Sequence, residues 1–272
     1  MLRQLWEKKN DIEEIYSFVG QVDFLMSIAA LRTGSEKYCI PEISQKKKSL
    51  TAKNVIHPLI EHCIPNSIHV EKKSVLITGS NMSGKTTFIR TIAINAITAL
   101  TLNTCFADQF ILPRMKIYSA IRISDDLLND KSYYFEEVLT IKEMIIASQQ
   151  ETPNLFFLDE IFKGTNTVER VSAGKAVLSW LAKADNIVFV STHDMELTDL
   201  LQEEYVLYHF SEQVGDKNVD FDYKLKPGKN HNRNAIKILK INDYPESVVQ
   251  EAVDISRIFD EVSPDFRDIP VK

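Results

Sequence analysis

The chain has 272 residues, of which 44% are hydrophobic and 26% charged, so it can bury one large core and is not a mostly disordered protein. Its net charge of -6 argues against a free-standing nucleic-acid binder that works through a broad basic field. Any contact with DNA must then be local or lie elsewhere. Cys39, Cys63 and Cys105 show no C-x-x-C spacing, which predicts neither a disulfide framework nor a zinc site and favours a reducing cytosol.

The first 50 residues are expected to be the end of a helical element. Apolar residues recur every three or four positions from 10 to 33, which predicts a helix with a wide apolar face. Such a helix needs a partner, and the other parts of the element are expected outside this chain. The lysine-rich residues 45–49 favour a solvated linker or hairpin tip over a DNA-binding patch. No uninterrupted apolar run is long enough to cross a bilayer, so we expect no membrane anchor and a cytoplasmic location.

From about residue 51 the pattern changes to short apolar runs alternating with helical patterns, which predicts an α/β domain over 51–245. The runs 155–158 and 187–190 are continuously apolar, as expected of central strands in a mainly parallel sheet covered by helices on both faces. Residues 219–225 alternate and predict an antiparallel strand, and residues 246–272 are expected to form a C-terminal helix and tail. The remaining expected strands are 74–78 and 116–124, and the expected helices are 86–100, 133–148, 172–184 and 245–262.

A glycine-rich loop follows the expected strand 74–78. The spacing Gly79-x-x-x-x-Gly84-Lys85-Thr86 between a strand and a helix predicts a cradle whose backbone N–H groups face phosphates. Lys85 is expected to reach the β- and γ-phosphates, and Thr86 to ligate Mg²⁺. The alternative is a glycine-rich turn with a solvated lysine. The residues expected to bind the nucleotide here are Gly79, Ser80, Asn81, Met82, Ser83, Gly84, Lys85, Thr86 and Thr87.

Two further strand ends carry polar side chains that suit phosphate chemistry. Asp159 and Glu160 end the run 155–158, where Asp159 is expected to hold Mg²⁺ and Glu160 to polarise the attacking water. His193 follows the run 187–191 and is expected to contact the γ-phosphate or the water. Each feature alone also fits a purely structural role: the two acids could lie in a surface turn, and the histidine could stabilise the fold. By spacing alone, Ser132 only caps the helix 133–148.

Several motifs now stand together in one order. Residues 78–87, Ser124-Asp125-Asp126 through Ser132, residues 158–165 and residues 191–194 together resemble the ATPase region of the MutS DNA mismatch-repair family. His57-Pro58 and the following residues to Asn66 resemble the segment that precedes the loop in that family. The resemblance covers roughly residues 12–260, and Asn81-Met82 and Gly164-Thr165 separate it from generic ATPases.

The resemblance implies a P-loop NTPase of the ABC type that works as a homodimer with two composite sites for ATP and Mg²⁺. Ser132 would reach the γ-phosphate of the partner's ATP, which makes it catalytic together with Glu160, His193 and Lys85. Residues 164–166 match the loop that meets the opposite subunit. Adenine would stack between Ile64 (or Cys63) and Tyr223. DNA would be bound through upstream domains that this chain lacks, because no mismatch-reading segment is found.

The departures from the family pattern indicate a divergent branch. Two substitutions change the phosphate loop, one precedes His57, and three lie in or beside the segment that carries Ser132. The acid in that segment is electrostatically unfavourable beside a γ-phosphate. The departing residues are Ser80 for proline, Ser83 for glycine, Ile56 for arginine, Asp130 for glycine, and Tyr133 and Tyr134 for Thr and Phe.

The expected function is an ATP-hydrolysing module of a MutS-like mismatch-repair protein, in which ATP state is coupled to DNA clamping by dimerisation. One alternative is a MutS-like protein acting on recombination intermediates or stalled ribosomes. Another is a nucleotide-dependent interaction switch with negligible turnover. A transporter subunit and a small-molecule kinase are disfavoured.

Overall fold

The computed structural model describes residues 6, 8–121, 133–215, 218–229 and 234–262. Strands and helices alternate through most of these ranges, so the expected mixed α/β organisation is confirmed. The described helices are α1 (Lys9–Thr33), α2 (Lys85–Leu102), α3 (Tyr133–Ser148), α4 (Thr167–Leu181), α5 (Glu196–Leu200), α6 (Ala235–Ile241) and α7 (Glu246–Val262).

The described strands form a large sheet, a smaller sheet and a separate hairpin. The hairpin pairs β10 with β11 in antiparallel orientation. The strands are β1 (Glu42–Ile43), β2 (Ser49–Val55), β3 (Asn66–Glu71), β4 (Ser74–Thr78), β5 (Gln109–Leu112), β6 (Lys116–Ala120), β7 (Asn154–Asp159), β8 (Ile187–Ser191), β9 (Tyr205–His209), β10 (Glu212–Val214), β11 (Val219–Phe221) and β12 (Lys226–Pro227).

The large sheet has the order β12-β9-β4-β8-β7-β6 within the described part of the chain. Neighbouring strands from β9 to β6 are parallel, and only the short edge strand β12 is antiparallel. Strands β4 and β8 are buried along their whole length, as their continuous apolar sequences predict for strands covered on both faces. The mainly parallel sheet expected from the sequence is therefore present.

Helix α2 and the smaller sheet cover one face of the large sheet. The smaller sheet has the order β1-β5-β2-β3, and its buried side chains join those of α2, β4, β7 and β8 in one cluster. The opposite face packs against α3, α4 and α5 in a second cluster. Side chains at the carboxyl ends of β4, β7 and β8 are thus held by a core on both sides.

Two of the element boundaries that differ from the sequence expectation have a local cause. Helix α4 begins at Thr167 rather than 172, because the Asn166 side chain accepts a hydrogen bond from Glu169 N at 3.0 Å and caps it. The expected strand 219–225 is paired only as β11, since Tyr223 has a φ of 50° and leaves the extended conformation. The following residues reach the large sheet at β12 instead.

Helix α1 has no buried residue, and nearly all of its side chains are exposed. By length and composition it is the one described helix that is long and apolar enough to cross a membrane, with a mean hydropathy of 1.2. Core helices and signal sequences satisfy the same criterion. The sequence expectation concerned uninterrupted apolar runs, and Gln21 and Asp23 interrupt the apolar run of α1.

Two of the three cysteines are neighbours in space. Cys39 and Cys105 form an isolated antiparallel bridge in which each backbone N–H donates to the other's carbonyl, at 2.7 and 2.9 Å. Both are free thiols, as is Cys63. Burial raises the pKa of both Cys39 and Cys105, which keeps these thiols protonated and unreactive.

Candidate functional site

Three polar strand ends meet at the carboxyl edge of the large sheet. Strands β4, β8 and β7 are neighbours, and the register places Ile77 beside Ser191 and Ser191 beside Asp159. The residues that follow β8 and β7 are hydrogen-bonded to a neighbouring strand, since Thr192 N donates to Ile77 O at 3.0 Å and Glu160 N to Ser191 O at 2.9 Å. Open parallel sheets bind their ligands at this edge.

The glycine-rich loop adopts a conformation that its glycines make possible. Gly79 and Gly84 have φ angles of 142° and 109°, where residues with a Cβ are strained. A Cβ on Gly79 would lie 2.6 Å from the Phe210 carbonyl oxygen, so a side chain there would collide with backbone. Helix α2 begins at Lys85 directly after the loop, and its positive N-terminal end faces the cradle.

Lys85 is nearly fully buried in the centre of this loop. Its Nζ donates to the carbonyl oxygens of Gly79 and Ser80, each at 2.8 Å, and lies 3.4 Å from His193 Nε2. Burial lowers the pKa of Lys85, and the negative charges of Glu160 and Asp159 oppose that shift. The ammonium is therefore held inside the loop, where the charges of two acids act on it.

Thr86 and Asp159 form an all-oxygen group next to the loop. Thr86 Oγ1 donates to Asp159 Oδ2 at 2.9 Å, and the other carboxylate oxygen accepts a hydrogen bond from Ser191 Oγ. Magnesium prefers one or two carboxylate or hydroxyl oxygens together with phosphate oxygens and waters. The donor set therefore fits Mg²⁺ as a partner of bound phosphates.

Glu160 follows Asp159 at the end of β7, close enough to Lys85 for its charge to act on the ammonium. It has a φ of 54°, and its side chain is only 10% exposed. Its carboxylate pairs with His193 Nε2 at 2.8 Å and with the Lys163 ammonium. Burial raises the pKa of Glu160, but the hydrogen bonds from His193 and Lys163 outweigh burial and lower the pKa to about 2.

His193 joins the phosphate loop to Glu160. Its Nε2 lies 2.9 Å from Asn81 Oδ1 as well as 2.8 Å from Glu160 Oε1. Both partners are acceptors, so the tautomer with hydrogen on Nε2 satisfies both contacts. The imidazole is thus placed between the loop and the acid.

A cavity of about 340 Å³ opens beside the loop and is lined by the residues expected to hold adenine. Ile64, Cys63 and Tyr223 all line it, together with Gly84 and Phe88 of the loop and α2. Asn66 closes its rim, because its Nδ2 donates to Tyr223 O at 2.9 Å and its Oδ1 accepts from Leu225 N at 2.8 Å. The segment before the loop and the chain after β11 therefore form one pocket wall.

Comparison with known proteins decides the family. The family model for MutS domain V matches residues 75–260, which include the phosphate loop, Asp159, Glu160 and His193. The chain belongs to the MutS family. The resemblance seen in the sequence motifs is thereby confirmed.

Individual relatives carry mismatch-repair names. The chain is 30% identical over 90% of its length to DNA mismatch repair protein MutS of Pseudothermotoga lettingae, and 29% identical over 96% of its length to MutS of Listeria monocytogenes. It is also 29% identical over 94% of its length to DNA mismatch repair protein MSH3 of Kluyveromyces lactis. It spans 31%, 31% and 26% of those three proteins, respectively.

Some MutS-family motif residues expected at the site lie apart from this cluster or outside the described residues. The structure does not describe residues 122–132, which include Ser132 and Asp130. Gly164, Thr165 and Asn166 lie in the turn before α4, where Arg170 NH1 donates to Thr165 O at 3.3 Å.

Sequence reasoning missed several side chains that organise this part of the MutS-family fold. Arg170 donates from Nε and NH2 to Asp194 at 2.7–3.1 Å, which links α4 to the residue after His193. Lys163 pairs with Glu160, and Ser191 with Asp159. Lys163 lies within the motif 158–165 and Ser191 within the motif 191–194, so only their place in these motifs connected them with the site. Arg170 had none, because its partner lies 24 residues away.

Proposed function

We propose that the chain is the ATP-binding and hydrolysing module of a MutS-like DNA mismatch-repair protein. The observation that carries this proposal is the convergence of four groups on one sheet edge: the glycine-rich loop with Lys85, the Thr86–Asp159 pair, Glu160 and His193. Phosphate binding, metal binding and water activation then have separate side chains within one cluster. Membership of the MutS family supports ATP as the nucleotide.

Lys85 and the loop backbone bind the phosphate chain. The Lys85 ammonium now donates to loop carbonyls and can transfer those hydrogen bonds to β- and γ-phosphate oxygens without leaving the cradle. Thr86 Oγ1 and Asp159 would hold Mg²⁺, which when bound neutralises charge on the phosphates. The cavity lined by Ile64, Cys63 and Tyr223 takes the adenine ring.

Glu160 and His193 act on the water that attacks the γ-phosphate. Glu160 accepts a hydrogen bond from that water and orients it, while His193 Nε2–H faces the γ-phosphate from the other side. The same Nε2–H is now shared between Glu160 and Asn81, so ATP binding competes with these contacts. In this way His193 distinguishes the triphosphate from the diphosphate.

We further propose the ABC-type arrangement, a homodimer with composite ATP sites, and action on DNA through segments outside this chain. Ser132 would supply a γ-phosphate contact to the partner, and residues 164–166 would lie at the subunit interface. The named relatives are mismatch-repair proteins of which this chain spans less than a third, so the DNA-binding parts are proposed to lie in the remaining length. The free thiols suit a reducing cytoplasm.

Calorimetry and phosphate release test the proposal together. The wild-type chain should bind Mg·ATP and release phosphate, and Lys85→Ala should lose most of the binding. Glu160→Gln should bind ATP as the wild type does and lose phosphate release by about a hundredfold or more. Absence of Mg·ATP binding by the wild type would overturn the proposal.

A second candidate function is a nucleotide-dependent switch with negligible turnover. It is favoured by one observation, the engagement of Glu160 by both His193 and Lys163, which leaves that carboxylate with a low pKa and weak as a base. ATP-dependent association of two chains, without phosphate release and unchanged by Glu160→Gln, would support the switch over the enzyme.

A further inference from the structure

A buried acid on α3 contacts the turn that follows Glu160. Glu137 is only 1% exposed, and its Oε2 accepts a hydrogen bond from Phe162 N at 3.0 Å. Burial raises the pKa of Glu137 to about 7, although the Phe162 hydrogen bond and the Lys163 charge oppose that shift. Burying an acid costs free energy unless it has a partner, and in the described structure that partner is a backbone N–H.

The turn needs such a contact because its backbone is strained at two positions. Glu160 and Phe162 have φ angles of 54° and 60°, in the left-handed region that costs a residue with a side chain about 1 kcal/mol or more. The hydrogen bond from Glu160 N to Ser191 O fixes the beginning of the turn. Glu137 fixes its middle, two residues beyond Glu160.

Tyr134 adds a second contact between the same helix and the same turn. Its ring lies 6.3 Å from the ring of Phe162, centroid to centroid, and the two planes are tilted by 56°. A Cβ on Gly164 would lie 3.1 Å from Tyr134 Cβ, so the helix and the turn touch closely at that glycine. The first two turns of α3 therefore determine where residues 160–164 lie.

We propose that Glu137 is a positioning residue for ATP hydrolysis, which holds the turn after Glu160 against α3 and so aims the Glu160 carboxylate at the attacking water. The inference rests on the proposed ATPase function. The role depends on the Glu137 carboxylate oxygen that accepts the hydrogen bond from Phe162 N. Helix α3 begins directly after Ser132 in the chain, so a shift of that helix on dimerisation would move Glu160 as well.

Three variants of the full chain test the role of the acceptor. Glu137→Gln keeps an acceptor oxygen, while Glu137→Met has a similar length and none. Glu143→Met is the matched control, since Glu143 is an exposed acid on the same helix. We expect Glu137→Met to lower kcat for phosphate release by about tenfold with KM for ATP unchanged. We expect Glu137→Gln to stay within about threefold of the wild type, and Glu143→Met to equal it.

Tyr134→Leu provides a second measurement should Glu137→Met fail to fold. Tyr134 is 41% exposed, so its replacement is compatible with folding, and we expect a reduction of kcat by about threefold with KM unchanged. A wild-type kcat in Glu137→Met would overturn the inference and leave the ATPase standing. Equal losses of kcat in Glu137→Gln and Glu137→Met would also overturn it. If Glu137→Met does not fold, a wild-type kcat in Tyr134→Leu would overturn it. A wild-type chain that releases no phosphate would instead overturn the ATPase function and this inference with it.

Discussion

At the scale of single residues, Glu160 is held by two basic partners, Lys163 and His193, that differ in their exposure to solvent. Glu160 is shielded from solvent, whereas its partner Lys163 has a side chain that is 56% exposed. An exposed lysine can swing into water at low cost, because surface ion pairs contribute little. In the proposed ATPase, Lys163 would therefore be the partner that releases Glu160 when ATP binds, while His193 would stay at the phosphates.

We predict that Lys163→Met makes stability less sensitive to acid. The folded-state pKa of Glu160 is about 2, below its ordinary value of 4.5, so its contribution to stability is present above pH 4.5 and is lost as the pH falls through about 2. Removing Lys163 raises that pKa, and the loss between pH 6 and pH 3 should shrink by no more than about 1 kcal/mol, given the exposure of the lysine.

Urea unfolding at pH 6 and pH 3 measures this difference. Lys142→Met, which replaces an exposed lysine on α3, is the control and should retain the wild-type pH dependence. An identical acid dependence in Lys163→Met and the wild type would show that the ion pair does not contribute.

At the scale of elements, a polar chain ties the phosphate loop to the hairpin β10–β11 and to the start of α6. Ser80 Oγ donates to Glu212 Oε2 at 2.6 Å, and Asn234 Nδ2 donates to Glu212 Oε1 at 3.1 Å. Glu212 and Asn234 are both buried, at 5% and 8% exposure. Ser80 stands where proline is usual in the family pattern. Its hydroxyl donates to a buried carboxylate, and a proline side chain could not make that hydrogen bond.

We predict that Ser80→Ala destabilises the chain by about 1–3 kcal/mol, because it leaves the buried Glu212 carboxylate without one of its donors. Glu212→Gln removes the buried negative charge and keeps an oxygen that needs a donor, so the loss of the Ser80 hydroxyl should cost less in that background. Urea denaturation of the two single variants and the double variant gives the coupling energy, which we expect to be about 0.5–2 kcal/mol. Additive effects would show that the two side chains act independently.

The elements were easier to predict from sequence than the contacts between them. The runs that became β7 and β8 are continuously apolar, and that pattern follows from burial on both faces. The loop, Asp159, Glu160 and His193 follow strand ends, so the parallel topology alone brings them together. The Ser80–Glu212 and Glu137–Phe162 contacts join residues 132 and 25 positions apart. They depend on how loops pack, which no local pattern encodes.

At the scale of the whole molecule, α1 stands apart from the core. None of its residues is buried, and Phe18, Leu25 and Met26 are each about two-thirds exposed. Its contact with the remainder runs through Arg32, which donates to Thr104 Oγ1 and Asn103 O at 3.0 Å each. An apolar surface of this length is typical of a segment that packs against another part of a protein. That α1 is the end of a longer helical element stays a prediction.

A chain shortened to begin at Ser35 should therefore keep the stability of the two-sheet core. Because α1 buries no side chain, removing it forfeits chiefly the contacts of Arg32, namely its two hydrogen bonds and its position over the Tyr38 ring, which together contribute about 1–3 kcal/mol at most. Arg32→Ala in the full chain is the control and should reproduce whatever loss the truncation causes. Urea unfolding compares the three proteins, and fluorescence of a hydrophobic dye should fall in the shortened chain alone, since only there is the exposed apolar surface removed. A loss of several kcal/mol beyond that of Arg32→Ala would mean that α1 packs on the core in solution.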